Sequence, residues 1–508
     1  MSKINQLRAG VVLTYVSLGV GYLVSMVFTP VMIRMLGQSE YGLYTLVLSI
    51  ASYLNLLNFG FGASYIRFYA RFKENGTPED IHRLNGLFLL TFAVIATVAL
   101  VAGLIVAENV DLLQKTLSPD EVSRAAVLIR ILSVNLAFTL IASVFTSFIT
   151  AQERFVFQKS VQIVKNLLSP IGMLVMLLLG HASLGLVLVT LALTVLTDAA
   201  NIGYCVKKLG MRFRFRGLRW GLFREIAVFS SFIFINIVVD QINWNVGNLL
   251  LAAYHGTVLV SVFGLASQLN NYYVSFSTAV SSVFVPKVNQ MIARDAKNDL
   301  TDLFTRVGRV QFLILMLVCS GFVIFGKPFI ALWGGAGYEQ AYYVGLFLFI
   351  PVTIPSIQNI GIEIQRAKNM HQFRSVVYLA MAALNIALGL ILCPRYGAIG
   401  CAIGTATSLI VGNGIVMNIY YHKKIGLNIL YFWKSMLSFV PALITPIVVG
   451  VALALFVRPT GWLMLGACIA VYAVVYGASM WLIGMNRYEK DLIMRPLGKI
   501  LRRFGVKM

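Results

Sequence analysis

The sequence predicts an all-α polytopic membrane protein: fourteen transmembrane helices, arranged as two six-helix lobes in parallel pseudo-repeat plus two extra C-terminal helices. Three observations predict it. Of 508 residues, 59% are hydrophobic and only 12% charged, with mean hydropathy +0.82; a soluble domain carries roughly a quarter charged residues. Apolar windows of about 20 residues, the length that crosses the hydrocarbon core, recur along the whole chain. The charge is lopsided, with 41 Lys+Arg against 19 Asp+Glu. In a soluble protein a net charge of +22 would indicate nucleic acid; here its placement in short loops indicates membrane topology instead.

Span 1 covers 9–31 and follows Lys3 and Arg8. It is long enough to cross and no small-x-small cleavage site follows a short apolar run, so it reads as a retained helix rather than a signal peptide. Span 2 (41–64) runs into "LLNFGFGASYIRFYARF", residues 56–72. On a helical wheel Gly60, Ser64, Arg67 and Arg71 fall within about 60° of one another, with Phe61, Tyr65, Phe68, Tyr69 and Phe72 opposite. Spans 3 (85–107), 4 (126–150) and 5 (160–180) follow, with Arg130 just inside span 4. In span 6 (184–206), Thr190, Thr194, Thr197 and Asn201 make a polar face with Asp198 beside it.

A basic segment, 207–225, leads to span 7 (226–251), where Asn236, Asp240, Asn243 and Gly247 share a face and Asp240 sits near mid-membrane. Span 8 (258–285) places Ser267, Asn271, Thr278 and Ser282 together. Spans 9 (310–332) and 10 (341–364) follow, with Glu363 behind Gln358 and Asn359 at the inner end of span 10. Spans 11 (375–393), 12 (396–420), 13 (435–457) and 14 (461–484) complete the set. Pro170, Pro286, Pro351, Pro355, Pro441 and Pro446 should break or bend their spans. The tail 485–508 sets Ile493, Leu497, Ile500, Leu501 and Phe504 at helical spacing beside Arg495, Lys499, Arg502 and Arg503, a pattern suited to an anionic membrane surface.

The basic residues test the count. With both termini in the cytoplasm, the tails and even-to-odd loops hold 34 of the 41 Lys and Arg. Six fall on the opposite side (Arg34, Lys115, Arg124, Lys327, Arg395 and Arg458), and Arg130 is left inside span 4. That is a positive-inside distribution. A repeat adds the lobes: "EYGLYTLVLSIASYL" (40–54) aligns with "LVSVFGLASQLNNYY" (259–273) at an offset of 219. Parallel repeats of this kind place a cargo site where the halves face each other. The expected organisation is an N-lobe at 1–206, the basic linker at 207–225, a C-lobe at 226–420, spans 13 and 14 at 435–484, and the tail.

Enzyme signatures are missing. There is no P-loop, HExxH or GxSxG, and the five cysteines form no CxxC pair or metal-ligand cluster. No cofactor or metal is expected. Ser, Thr and Asn faces are ordinary interhelical hydrogen-bonding groups, whereas a mid-membrane carboxylate such as Asp240 is costly and marks function. Asp240 can titrate, bind a cation or pair with an arginine, and the residues alone do not choose.

"LGQSEYGLYTLVLSIASYLNLLNFGFGASYIRFYAR" (36–71), "FREIAVFSSFIFIN" (223–236) and "YGAIGCAIGTATSLI" (396–410) resemble the signatures of the polysaccharide flippase family of the multidrug/oligosaccharidyl-lipid/polysaccharide exporter superfamily. The resemblance implies two lobes around a cationic cavity and translocation of undecaprenyl-pyrophosphate-linked oligosaccharide across a bacterial cytoplasmic membrane. It also implies a lipid-linked oligosaccharide as cargo, with polysaccharide polymerase and glycosyltransferases as partners. A pyrophosphate cannot cross the hydrocarbon core unaided, and arginine is its natural ligand. The headgroup candidates are therefore Arg67, Arg71, Arg130 and Ser64. Candidates for lining the cavity or for coupling are Asn236, Asp240, Asn243, Asn271, Asp198, Asn201 and Glu363. In the related lipid II flippases the two extra C-terminal helices help hold the lipid tail, a role implied for spans 13 and 14. Few arginines lie deep in span 1, which favours a cell-surface polysaccharide unit over a peptidoglycan precursor. Two alternatives stay open: a cation-coupled multidrug antiporter of the same superfamily, and a non-catalytic membrane subunit of a polysaccharide-synthesis complex.

Overall fold

Caps and left-handed residues set the helix boundaries in the computed structural model, which describes residues 3–110, 116–217, 220–293, 297–368, 370, 372–492 and 494. Helices follow one another as α1 (Lys3–Leu36), α2 (Gln38–Leu54), α3 (Phe61–Asn75), α4 (Pro78–Glu108), α5 (Pro119–Ala151), α6 (Phe155–Leu178), α7 (Ala182–Gly203), α8 (Trp220–His255) and α9 (Thr257–Ala293). They continue as α10 (Lys297–Trp333), α11 (Gln340–Ile357), α12 (Ile360–Ala367), α13 (Gln372–Leu409), α14 (Met417–Tyr420), α15 (Ile429–Leu437), α16 (Val440–Ala452) and α17 (Trp462–Ser479). Among the described residues, eleven stretches are long and apolar enough to cross a membrane. The chain is an all-α, multi-pass membrane protein.

Starts are chemically explicit. Thr77 and Ser118 each accept a hydrogen bond from the backbone three residues on, Asp80 and Glu121 return it, and Pro78 and Pro119 occupy the first turn. Breaks are equally explicit. Span 2 is not one continuous helix: after α2 the chain makes a 3-10 turn (Asn55–Asn58), and Phe59 and Gly60 take φ of 49° and 69°. Two successive left-handed residues end the α2 hydrogen-bond ladder. Gly60 therefore caps α3 rather than sharing its face, and the polar face of α3 begins at Ser64. Span 10 divides at Gln358 and Asn359 into α11 and α12. Span 13 is preceded by α15 and restarts at α16 with Pro441 in the first turn. Pro170 lies inside an unbroken α6. Within α13, Gly397 has φ 55° and ψ −132°, a non-helical pair that divides the element. Of the amphipathic tail expected at 485–508, residue 493 and residues 495–508, which hold its apolar set, lie outside the described residues.

The chain divides into one unit of Met1–Gly264 with Cys393–Ala398 and another of Leu265–Leu392 with Ile399–Met508. In the first, α4 packs along α5, α1 along α6 and α5 along α7. Water exclusion contributes little between helices in lipid, so shape and buried hydrogen bonds carry association. The aromatics of α3 supply both: Phe61, Tyr65, Phe68 and Tyr69 are buried against Phe88 and Phe92 of α4 and Phe148 of α5. Tyr65 donates to Asn85 at 2.6 Å, and Gln152 donates to Tyr69 at 2.6 Å. The linker docks on the start of α4, where Asn85 donates to the Arg212 carbonyl and Arg214 pairs with Glu79.

At the end where α2, α5, α7 and α9 begin, two carboxylates meet four helix N-termini. Glu121 accepts from Ser39 and Thr257, and Glu40 accepts from Ser183 and pairs with Arg124 at 3.0 Å. Negative charge at positive helix ends is favourable. Close beneath, glycines let α2 and α9 touch. A Cβ on Gly42 would lie 1.9 Å from the Thr257 carbonyl oxygen and 3.3 Å from Ser261 Cβ, and one on Gly264 would lie 2.6 Å from Thr45 Cγ2. The pairs 42/261 and 45/264 each differ by the repeat offset of 219.

In the second unit, α10 packs along α11 and α17, and α16 along α17. Phe325, Phe439, Tyr472 and Tyr476 form its core. Arg309 of α10 is buried at the edge of that core and uses all five N–H donors. They go to both oxygens of Glu489, the carbonyls of Ser435 and Gly484, and the Ser438 hydroxyl. Its guanidinium also lies 4.1 Å from the Phe439 ring centroid.

Candidate functional site

The polar face of α3 ends beside the start of α8. Ser64, fully buried, shares a 2.7 Å hydrogen bond with Ser230 of α8. One to two turns on, Arg67 and Arg71 are exposed. Arg71 pairs with Glu225 of α8 at 2.8 Å, both side chains being about half exposed, and its guanidinium sits 5.9 Å from the Phe68 and Phe72 ring centroids. An ion pair this open is worth about 0–1 kcal/mol, so an anionic ligand can take Arg71 from Glu225 at little cost.

Beside this seam lies an apolar groove of about 560 Å³ between α3, α4 and α8. Phe59, Phe61 and Phe223 wall it, Leu90 and Val94 form an exposed rim, and Ser230 and Ser231 supply its polar edge. Arg130 stands elsewhere. It pairs with Glu108 at 2.6 Å where α4 ends, whereas Arg67 and Arg71 lie near where α4 begins. About 45 Å of helix separates the two places, so Arg130 is not brought together with the other headgroup candidates.

On α7, Thr194 and Asn201 are buried and Asp198 is half-buried. Lys165 of α6 donates to the Thr194 hydroxyl at 3.2 Å and acts electrostatically on Asp198. Asp198 Oδ2 is buried and has no hydrogen-bond partner among the described residues. On α8, Asp240 is exposed and Asn243 half-buried, while the side chain of Asn236 lies outside the described residues. In the second unit, Asn271 of α9 is exposed and Glu363 of α12 pairs with Arg366 one turn on at 2.8 Å. No group of three or more His, Cys, Asp or Glu able to hold a metal occurs among the described residues, and the five cysteines are buried thiols.

Sequence reasoning missed Lys165, Ser230 and Glu225. Lys165 lies five residues inside span 5, and only its position within an apolar window distinguished it from the loop lysines. Ser230 and Glu225 are functionally silent until α8 is laid against α3.

Comparison with known proteins gives a consistent picture. A family model described as polysaccharide biosynthesis protein matches residues 7–292, more than half of the chain. The probable flippase AglR of Haloferax volcanii aligns over 167 residues at 22% identity, covering 32% of this chain and 35% of AglR. The match thus spans about a third of that relative's length. Among solved structures, the lipid II flippase MurJ in its inward closed conformation superposes with a TM-score of 0.74 at 17% identity, covering 96% of this chain and 99% of that one. An inward-facing multidrug resistance MATE family transporter of the MOP superfamily gives 0.61 at 14% identity, covering 85% of this chain and 99% of that one. The likeness is to transporters and flippases rather than to catalytic enzymes, and at these identities the structures establish the fold.

Proposed function

The chain belongs to the polysaccharide biosynthesis protein family, a flippase-type branch of the MOP superfamily, and from that premise we propose that it translocates undecaprenyl-pyrophosphate-linked oligosaccharide from the inner to the outer leaflet of a bacterial cytoplasmic membrane. The observation that carries this reading is the reach of the fold match. A lipid flippase is matched by 96% of this chain, whereas a multidrug transporter occupies only 85% of it. Polysaccharide polymerase and glycosyltransferases are the proposed partners in cell-surface polysaccharide synthesis.

Fourteen spans with both termini in the cytoplasm form part of the proposal. To the eleven stretches, α8 and α9 add two helices of 36 and 37 residues, and the Gly397 break divides the 54-residue stretch Gln372–Ile425. The basic residues orient the set. Transport proceeds by alternating access of two six-helix lobes, with spans 13 and 14 outside the repeat. Arg67 and Arg71 gather the pyrophosphate at the inner mouth beside Ser64, and Arg130 meets it at the outer end. Asp198, Asn201, Asn236, Asp240, Asn243, Asn271 and Glu363 line the sugar path or couple the cycle. The weakness of the Arg71–Glu225 pair supports the first role, because the arginine is held in place without being committed.

The test is reconstitution. Vesicles containing purified protein and a lipid-linked sugar should flip the sugar faster than protein-free vesicles, and equal rates would remove the proposal. Drug resistance conferred on an exporter-deficient host would indicate the antiporter reading, which Asp198 and Asp240 keep in view.

A further inference from the structure

Inside the first unit, Lys165 of α6 touches α7 at Thr194 and Asp198 follows one turn along α7, which sets a lysine and an aspartate at one contact between two packed apolar helices, a costly arrangement in lipid unless it has a task. Lys165 of α6 is half-buried and spends one of its three donors on the Thr194 hydroxyl at 3.2 Å. Asp198, one turn further along α7, is half-buried with Oδ2 buried and unbonded among the described residues. An ionised carboxylate with an unpaired buried oxygen is poorly stabilised, and a proton on that oxygen relieves it. The lysine, by contrast, keeps donors to spare.

We propose that Lys165, Thr194 and Asp198 form a proton-linked anion site, in which the Lys165 ammonium takes a phosphate-class anion while Asp198 takes a proton from the aqueous phase. Before binding, the ammonium balances the carboxylate. An incoming anion claims the ammonium and would leave two negative groups side by side, so the carboxylate protonates as the anion arrives. Charged groups on the neighbouring helices do not substitute for this pair. On α6 the other is Lys159; α1 carries Tyr15, Tyr22 and, at its far end, Arg34; and Lys207 and Lys208 follow α7 in an exposed turn. Glu40 of α2 and Glu121 and Arg124 of α5 lie toward the far end of α7, roughly 20–25 Å along the axis from Asp198, and Arg130, about 9 Å further down α5, is paired with Glu108. The ligand class rests on the flippase reading, whose cargo carries a pyrophosphate.

The test titrates inorganic pyrophosphate into the full chain in phosphatidylcholine nanodiscs at several pH values. Wild-type affinity should fall as pH rises, by up to about tenfold per pH unit, because the protonated carboxyl is the binding form. Lys165→Ala should lose about tenfold or more in affinity, the worth of a charge-assisted bond. Lys165→Arg should retain binding, and Asp198→Asn should bind without the pH slope. Wild-type affinity in Lys165→Ala, loss of binding in a folded Lys165→Arg, or a wild-type slope in Asp198→Asn would each overturn the site. Vesicle flipping separates this from the functional reading. A Lys165-dependent pyrophosphate site without flipping would leave the site and remove the function. Flipping that survives Lys165→Ala unchanged would do the reverse.

Discussion

Replacing Glu489 by alanine should release spans 13 and 14 from α10 while the rest of the fold stays in place. Arg309 and Glu489 have side chains only 9% and 2% exposed, so solvent screening takes little from their interaction. Removing the carboxylate strands two of the five guanidinium donors, the Nε–H and one Nη–H. Breaking a buried pair in this way costs about 3–5 kcal/mol. Substituting both partners by apolar residues would not restore stability here, since the Ser435 and Gly484 carbonyls would then lose their donor. Glu489→Gln keeps an acceptor and should cost about 1–2 kcal/mol. Hydrogen exchange read by mass spectrometry is the suitable assay, because it reports local opening. The readout belongs at residues 436–443, where Phe439 and Leu443 donate to Met436 and Phe439 and Glu489 makes no hydrogen bond. Protection there should fall by roughly two to three and a half orders of magnitude in Glu489→Ala, at 1.4 kcal/mol per factor of ten. Wild-type protection at 436–443 would refute the idea that this pair holds the C-terminal helices.

Three further expectations follow from the site and its frame. The Arg67→Ala, Arg71→Ala double variant should reduce surface polysaccharide at unchanged protein level, and wild-type polysaccharide would leave these arginines as topology signals. Transport by Asp240→Asn should lose its dependence on pH or sodium; an unchanged profile across both would exclude Asp240 from coupling. Gly42→Ala drives a methyl into the Thr257 carbonyl, a backbone neighbour that cannot rotate away. It should destabilise by about 1–3 kcal/mol or more, seen as a lower unfolding temperature in detergent.

What the sequence made legible was whatever repeats locally. Apolar windows mark the crossing helices because lipid forces every backbone group to be bonded within its own segment, and the aromatics that periodicity sets on one side of 61–72 are the ones that pack into a buried core. The interruption at Phe59 and Gly60 was not legible. A glycine in an apolar run has the same letter whether it packs a helix face or ends a helix, and the neighbouring Phe59 carries no sign of its positive φ. Contacts across long sequence separations were also hidden. Arg309 reads as one more inner-loop cation, and nothing in "RYEK" ties Glu489 to a residue 180 positions earlier. Lys165 shows the reverse error: tallied with the topology charges, it lies against Thr194 within packed helices.

If α2 and the start of α9 are the copies that their sequence offset of 219 suggests, their meeting constrains how such copies can differ. Two copies of a segment that touch at equivalent positions cannot both keep a side chain there, nor both lose it without leaving a gap. Gly42 opposite Ser261, and Thr45 opposite Gly264, resolve that conflict in opposite directions. At these positions each helix acts as the mould of the other, so a repeat of this kind requires its copies to differ just where they touch.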